Sequence, residues 1–304
     1  MADTFRVGLI LTERCNIECA HCWLESGPQR RSSMDPEDAR GYIDQALEIP
    51  TLDWVSFTGG EPFLMPETLA SLVSYASGSG LRTECVTNCF WAETEAKAGE
   101  KLGTLVDAGL DVINISSDDF HQRHIPFERV KNAYEAAKKL GLKIVIMTAS
   151  AASSELRIRE IARRLGEKDI HIVGDGEPRT NLSALAVETG FIPVGRGGQL
   201  PEEEWLVDHG PVKGPCRDVL RDVGISPTGR VLPCCSAAGH LQQASLGNAK
   251  EERLSALIER AEENAVYRTL STVGPFELAE RTGFQKRQGY INRCHLCYEI
   301  LRSA

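Results

Sequence analysis

An alternation of strand-like and helix-like segments, repeated between Phe5 and Val173, narrows the choice of fold more than any other feature of this chain. Phe5 to Thr12 is a short apolar run, Arg40 to Leu47 is part of a helix, and Asp53 to Thr58 is a second strand that runs into Gly59-Gly60. The rhythm continues with a helix near Pro66 to Ala76, a strand from Leu81 to Thr87, a helix from Glu93 to Ala108 and a strand from Asp111 to Ser116. A helix from Pro126 to Leu140, a strand from Lys143 to Thr148, a helix near Glu155 to Leu165 and a strand from Ile170 to Val173 complete it. Gly109 and Gly141 stand where helix C-termini need a residue that tolerates positive φ. Strands separated by helices predict a parallel sheet with right-handed crossovers and ligand sites at the carboxyl ends of the strands. Six units rather than eight predict an incomplete barrel, a partial (β/α)6 fold over residues 1–173.

From Gly174 to Pro215 the pattern breaks into Gly- and Pro-rich sequence, including Gly195-Arg196-Gly197-Gly198, and reads as a bridge over 174–215. Residues 216–304 read as a small α+β domain. There Val223 to Ser226 and Arg230 to Leu232 flank the turn Pro227-Thr228-Gly229, and a helix follows from about Lys250 to Arg260. The net charge of −9, from 34 Lys and Arg against 43 Asp and Glu, argues against a groove that neutralises nucleic-acid phosphates. No apolar run approaches the roughly 20 residues of a membrane span, and Met1 to Arg6 does not resemble a signal peptide, so a cytoplasmic location is expected. In a reducing compartment ten cysteines are metal ligands or reactive groups rather than disulfides.

Three of them crowd one loop after the first strand: Cys15-Asn16-Ile17-Glu18-Cys19-Ala20-His21-Cys22. Structural zinc prefers four ligands in paired short spacings, whereas three thiolates suit a 4Fe-4S cluster with its fourth iron open to another molecule. The spacing C-x3-C-x2-C resembles the signature of the radical S-adenosylmethionine (radical SAM) enzymes. Thr58-Gly59-Gly60-Glu61-Pro62, after the second strand, looks like the Gly-Gly-Glu-Pro segment with which that family binds the SAM amino group. Its glycines would let backbone approach the ligand, and Glu61 would accept from an ammonium. The resemblance further implies SAM contacts from Thr87-Asn88, where Cys89 replaces a usual glycine, and from Ser117-Asp118 near the ribose.

Cys216, Cys234 within Ile225-Ser-Pro-Thr-Gly-Arg-Val-Leu-Pro-Cys234, and Cys294-His295-Leu296-Cys297 resemble the Twitch domain, the shorter relative of the SPASM auxiliary-cluster domain. On that resemblance Cys216, Cys234, Cys294 and Cys297 saturate one second, auxiliary 4Fe-4S cluster that moves electrons. A four-thiolate zinc clip is the alternative on spacing alone. Of the remaining thiols, Cys85 reads as buried filler. Cys235, beside a cluster ligand, is a candidate hydrogen-atom donor, with Cys89 the competitor. The Cys234-Cys235 doublet is similar to that of radical SAM epimerases, such as the epipeptide epimerases and neomycin C epimerase.

The segment Asp118 to His124 adds polar groups at the same strand ends, with His121 or Asp119 as a candidate base, and Asp175, Glu177 and Arg179 are further candidates. The family implies reductive cleavage of SAM, with a flavodoxin- or ferredoxin-type electron donor, and removal of a substrate C–H hydrogen by the 5'-deoxyadenosyl radical. Epimerisation of a peptide or sugar stereocentre through Cys235 is the leading expectation. Oxidation by a dehydrogenase or crosslinking maturase that uses the auxiliary cluster is the alternative, and a non-catalytic zinc protein lies outside this class. A first strand beginning near Phe5 leaves no room ahead of it for a peptide-leader-binding domain, which favours a small-molecule or short-peptide substrate.

Overall fold

In the computed structural model the described residues are 4–167, 169–173, 184–207 and 212–303. Eight elements open the chain: β1 (Phe5–Thr12), α1 (Pro36–Leu47), β2 (Leu52–Gly59), α2 (Pro66–Gly78), β3 (Arg82–Thr87), α3 (Glu95–Asp107), β4 (Val112–Ser116) and the short α4 (Asp119–Gln122). They are followed by α5 (Phe127–Lys139), β5 (Lys143–Ser150), α6 (Ile158–Leu165), β6 (Ile170–Ile172) and β7 (Ala184–Gly190). The C-terminal part holds β8 (Asp222–Ile225), β9 (Arg230–Leu232), β10 (Gly247–Asn248), α7 (Leu254–Glu263), α8 (Ala265–Thr272), α9 (Pro275–Thr282) and α10 (Arg293–Ser303).

Local chemistry sets the helix ends. Asp35 caps α1 by accepting from the N–H groups of Glu37 and Asp38, with Pro36 in the first turn, and Thr94 caps α3 by accepting from Lys97 N. Gly109 and Gly141 follow α3 and α5 with φ of 100° and 75°, the conformation expected of them.

The strands form one ten-stranded sheet in the order β10-β9-β8-β1-β2-β3-β4-β5-β7-β6, parallel except where β9 runs antiparallel to β8 and β10. Successive strands from β1 to β5 lie side by side, as a right-handed βα series requires. Two placements differ from the sequence reading. Strand Ile170–Ile172 lies at the sheet edge, because β7, within the stretch read as a bridge, pairs between it and β5. Only Val187 and Thr189 of Ala184–Gly190 are β-branched, which hides the strand in a Gly- and Pro-rich context. The hairpin β8–β9 is not a separate layer either: Arg6 pairs with Asp222 and Leu9 with Ile225, so the C-terminal region extends the barrel's own sheet.

The two faces of the sheet have different tasks. Val7, Leu9, Leu11, Val55 and Phe57 are fully buried against Tyr42, Ile43, Leu69 and Leu72 of the covering helices, and Cys85 packs there too. The opposite face carries Gly8, Ile10, Ser56, Thr58, Glu84, Val86, Asn114, Ser116 and Met147, and most of these line an internal cavity. Gln45 of α1 ties the C-terminal part down, donating to Ala249 O at 2.9 Å and accepting from Leu254 N at 2.9 Å. No helix among the described residues is long and apolar enough to cross a membrane.

Candidate active site

A cavity of about 370 Å³ opens at the carboxyl ends of β1 to β4, and its walls include Cys15, Cys19, Cys22, Gly59, Gly60, Thr87, Asn88, His121 and Cys235. The Cys15–Cys22 loop is shaped by few bonds of its own. Cys15 N donates to Gly27 O at 3.1 Å and Cys22 N to Cys19 O at 3.1 Å. Cys15 and Cys19 are buried and Cys22 is half-buried. Burial pushes the Cys15 thiol up to about 12, so a bare thiolate is unfavourable there without a cation.

The glycine pair acts on this loop directly. Gly60 N donates to Thr12 O at 2.6 Å and Glu61 N to Arg14 O at 3.0 Å. A Cβ on Gly59 would stand 2.4 Å from Thr12 O, and one on Gly60 would stand 2.1 Å from Arg14 O. The glycines are needed because two backbone segments touch. Glu61 is also placed differently from the expectation that it meets a ligand ammonium. Fully buried, it accepts from Thr87 Oγ1 at 2.9 Å and Phe63 N at 3.1 Å with Oε1, and from Asn88 N at 2.8 Å with Oε2. Both oxygens are spent on tying the end of β3 to the Gly59–Pro62 turn, and burial pushes the carboxyl up to about 7 despite those donors. Pro62 is buried at the start of the turn that follows.

Asn88 reaches back to the cysteine loop, its Nδ2 donating to Asn16 Oδ1 at 2.9 Å and lying 3.6 Å from Cys15 Sγ. Thr87 Oγ1 also receives Cys89 N at 3.1 Å and Trp91 Nε1 at 2.9 Å. Cys89 has φ 64°, so the glycine-like backbone survives the substitution, but its side chain is fully buried and takes no part in the cavity wall. Its thiol packs in the core, whereas that of Cys235 lines the cavity.

Ser117 and Asp118 are likewise turned away from the cavity, which is lined instead by Ser116 and Asn114. Ser117 Oγ bonds Gln122 Oε1 at 3.3 Å, and Asp118 caps α4. Asp118 Oδ1 accepts from His121 N at 3.0 Å and pairs with His121 Nδ1 at 2.8 Å, while Oδ2 accepts from Ala149 N at 3.2 Å. Burial opposes the charges of this pair, yet His121 holds Asp118 down to about 2, and Asp118 with Cys19 holds His121 well above its ordinary value. The His121 imidazole therefore stands in the cavity wall with its Nδ1 committed to Asp118. Asp119 lies away from that cavity: its Oδ2 accepts from Leu156 N at 3.1 Å, and it lines a different cleft with Arg123, Glu155 and Glu204. Asp175, Glu177 and Arg179 lie outside the described residues.

The second cysteine set also converges. Cys294 and Cys297 share a face of α10 through their i,i+3 spacing and, with Cys216 before β8 and Cys234 after β9, line one apolar recess with Val219, Tyr267 and Leu270. Burial pushes Cys234 up to about 12 and Cys294 to about 11. Among the described residues, the one trio of metal-ligating atoms lying within 4.8 Å of one another is His21, Asp118 and His121. In an iron–sulfur cluster each thiolate meets its own iron, and the donor chemistry of both sets, three thiols at one cavity and four in one recess, fits that group.

Cys235 N donates to Asp222 O at 2.6 Å, and its Sγ packs on β1: a Cβ on Gly8 would come within 2.8 Å of it. Gly8 lies four residues before Thr12, roughly 13 Å along the strand, so Cys235 and the three-cysteine loop occupy opposite ends of the cavity. Burial, then the negative charges of Asp222 and Glu84, push its thiol well above the ordinary value, keeping it as S–H. Arg196, Asp222, Glu84 and Trp23 also line the cavity. None has a local motif, and for Arg196 the one available signal was its place between glycines.

Comparison with known proteins agrees with this geometry. The radical SAM superfamily model matches residues 9–151, and the SPASM model, an iron-sulfur cluster-binding domain, matches residues 216–298. YydG of Bacillus subtilis (strain 168), whose name assigns it to peptide biosynthesis, is 23% identical over 258 residues, covering 85% of this chain and 77% of its own length. The crystal structure of BtrN in complex with AdoMet and 2-DOIA superposes with a TM-score of 0.54 at 16% identity, covering 88% of this chain and 87% of BtrN. Streptococcus suis SuiB bound to its precursor peptide SuiA gives a TM-score of 0.54 at 14% identity, covering 97% of this chain and 76% of SuiB. The chain thus belongs to the radical SAM superfamily, an enzyme that uses SAM and a 4Fe-4S cluster and carries a C-terminal SPASM domain for further iron–sulfur chemistry.

Proposed function

We propose that this enzyme inverts a stereocentre in a peptide substrate, with Cys15, Cys19 and Cys22 holding the SAM-binding cluster and Cys235 as the hydrogen-atom donor. The observation that carries the reading is the placement of the Cys235 thiol in the same cavity as the three-cysteine loop and at its far end. SAM and its cluster supply, when bound, the oxidising carbon radical that removes one hydrogen atom from an unactivated C–H bond. The protein's own contribution is positional. A substrate lying between the two ends has one face toward the SAM site and the other toward Cys235. Transfer of hydrogen from sulfur to carbon breaks S–H and forms C–H on the second face, which inverts the centre. One electron and one proton then restore the thiol, and a flavodoxin- or ferredoxin-type protein is the proposed source of electrons. His121, its Nδ1 paired with Asp118, faces the cavity as a polar contact for the substrate.

The peptide class is supported by the relationship to YydG and by the likeness to SuiB with SuiA. A second reading, two-electron oxidation, draws on the recess that gathers Cys216, Cys234, Cys294 and Cys297 and so suits one auxiliary electron-transfer cluster. Turnover of candidate peptides in deuterated water distinguishes the two. Inversion adds about one mass unit through the exchangeable thiol, and Cys235→Ala abolishes that gain while SAM cleavage continues. A product lighter by about two mass units, unchanged in Cys235→Ala, would establish oxidation instead.

A further inference from the structure

The segment after β7, Gly- and Pro-rich in sequence, braces the loop that presents Cys15, Cys19 and Cys22. Arg196 Nε donates to Cys19 O at 3.0 Å, its Nη2 donates to Ser26 O at 2.6 Å, and its backbone N–H donates to Cys22 O at 3.1 Å. Three carbonyls of one short loop are thus held by one residue 170 or more positions away. The approach requires its neighbours to be glycine. A Cβ on Gly195, where φ is +58°, would lie 2.7 Å from Trp23 O and 2.8 Å from Cys22 O, and one on Gly197 would lie 2.7 Å from Ile192 O and 3.2 Å from His21 O. The far end of the same segment is fixed to the auxiliary domain. The Trp205 ring packs edge-on against His295, between Cys294 and Cys297, with centroids 5.1 Å apart, and Glu202 pairs with Arg287 at 2.7 Å.

We propose that Arg196 is a positioning residue for the SAM-binding cluster, holding the backbone that aims Cys19 and Cys22 and placing a positive charge on the loop that carries the three cysteines. The inference rests on Cys15, Cys19 and Cys22 as the cluster ligands and is independent of the fate of the substrate radical. Each bond made by the guanidinium has an ionised donor, stronger than a neutral hydrogen bond, and its planar fork spans two carbonyls that a point charge does not. Arg196 also lines the cavity, so the site that receives SAM and the brace of the cluster loop meet at one side chain. A positive charge near a cluster favours its more negative, reduced state and so raises its midpoint potential.

The test uses holoenzyme reconstituted anaerobically with iron and sulfide, comparing wild type with Arg196→Met, Arg196→Lys and Cys19→Ala. The readouts are iron and sulfide content, a redox titration followed by electron paramagnetic resonance, and the change that added SAM makes in the spectrum. Arg196→Met is expected to lower the midpoint potential of the SAM-responsive signal and to raise the SAM concentration for half-maximal change roughly tenfold, leaving the auxiliary signal in place. Arg196→Lys restores the potential but not the SAM affinity, because an ammonium lacks the fork. A wild-type potential and SAM titration in Arg196→Met would overturn the proposal. So would an equal loss of both clusters in the Met and Lys variants, which would make the residue a general folding contact. A SAM-responsive signal that survives in Cys19→Ala would overturn the ligand assignment beneath it.

Discussion

Replacing Gly8 with alanine tests the proposed hydrogen donor without touching any cysteine. Gly8 lies within β1, paired with Ser56 on one side and Gly224 on the other, and a Cβ there would stand 2.8 Å from Cys235 Sγ and 3.5 Å from Cys235 Cβ. The first distance is about 0.6 Å short of the 3.4 Å at which ordinary van der Waals contact begins. Relief comes either from rotating the Cys235 side chain off its rotamer, at ~0.5–1.5 kcal/mol, or from moving its backbone, which is held by the 2.6 Å bond to Asp222 O. Both displace the sulfur by somewhat under an ångström. Misplacement of a reacting group by about 1 Å can cost a factor of ~100, so hydrogen return from Cys235 is expected to slow roughly ten- to one-hundredfold. Alanine is no worse than glycine inside a strand, by roughly 0.5–1 kcal/mol in its favour, so global stability is not expected to fall by more than the local clash. The assay follows, in deuterated water, both SAM cleavage and deuterium gain in the peptide. SAM cleavage should continue while labelled product falls, uncoupling the two. Labelled product at the wild-type rate in Gly8→Ala, with its melting temperature unchanged, would refute the placement of Cys235 as donor.

Three further outcomes follow from the same geometry. Cys89→Ala should leave deuterium incorporation intact, because Cys89 faces the core, and a loss of label equal to that of Cys235→Ala would contradict that reading. Cys297→Ala should remove about half of the bound iron and acid-labile sulfide while leaving the SAM-responsive paramagnetic signal, whereas loss of that signal as well would deny two separate clusters. The Glu61 carboxyl titrates at about 7 in the fold against an ordinary value of 4.5, so its share of stability is complete below about 4.5 and declines as pH rises through 7. Roughly 3 kcal/mol of pH dependence is expected across that window, and Glu61→Gln should flatten it in urea unfolding, at a constant cost of ~1–3 kcal/mol for the acceptor lost to Asn88 N. A slope unchanged in Glu61→Gln would assign it to other groups.

How much of this was legible in the chain depended on whether the determinant was local. The βα alternation, the helix ends at Gly109 and Gly141 and the two cysteine spacings each follow from residues a few positions apart, where propensity and periodicity act. Strand β7 was hidden because Ala184 to Gly190 has little strand character of its own and is stabilised by pairing with β5 and β6. Helices α8 to α10 were likewise not delimited, since their apolar faces make sense only against one another and the recess beside them.

Within the site, sequence alone determined which residue types gather at the strand ends: three thiols in one loop, a glycine pair after β2 and four more thiols downstream. Tertiary structure alone decided where their atoms point. It turned the Glu61 carboxylate into the protein, paired His121 with Asp118, sent Asp119 to another cleft and set Ser116 rather than Ser117 in the wall. It also brought Cys235 against Gly8 and Arg196 against Cys19, contacts between residues more than 170 positions apart. The physical reason is that a spacing of two or three residues is fixed by backbone geometry, whereas contacts across the sheet exist only once ten strands have taken their order.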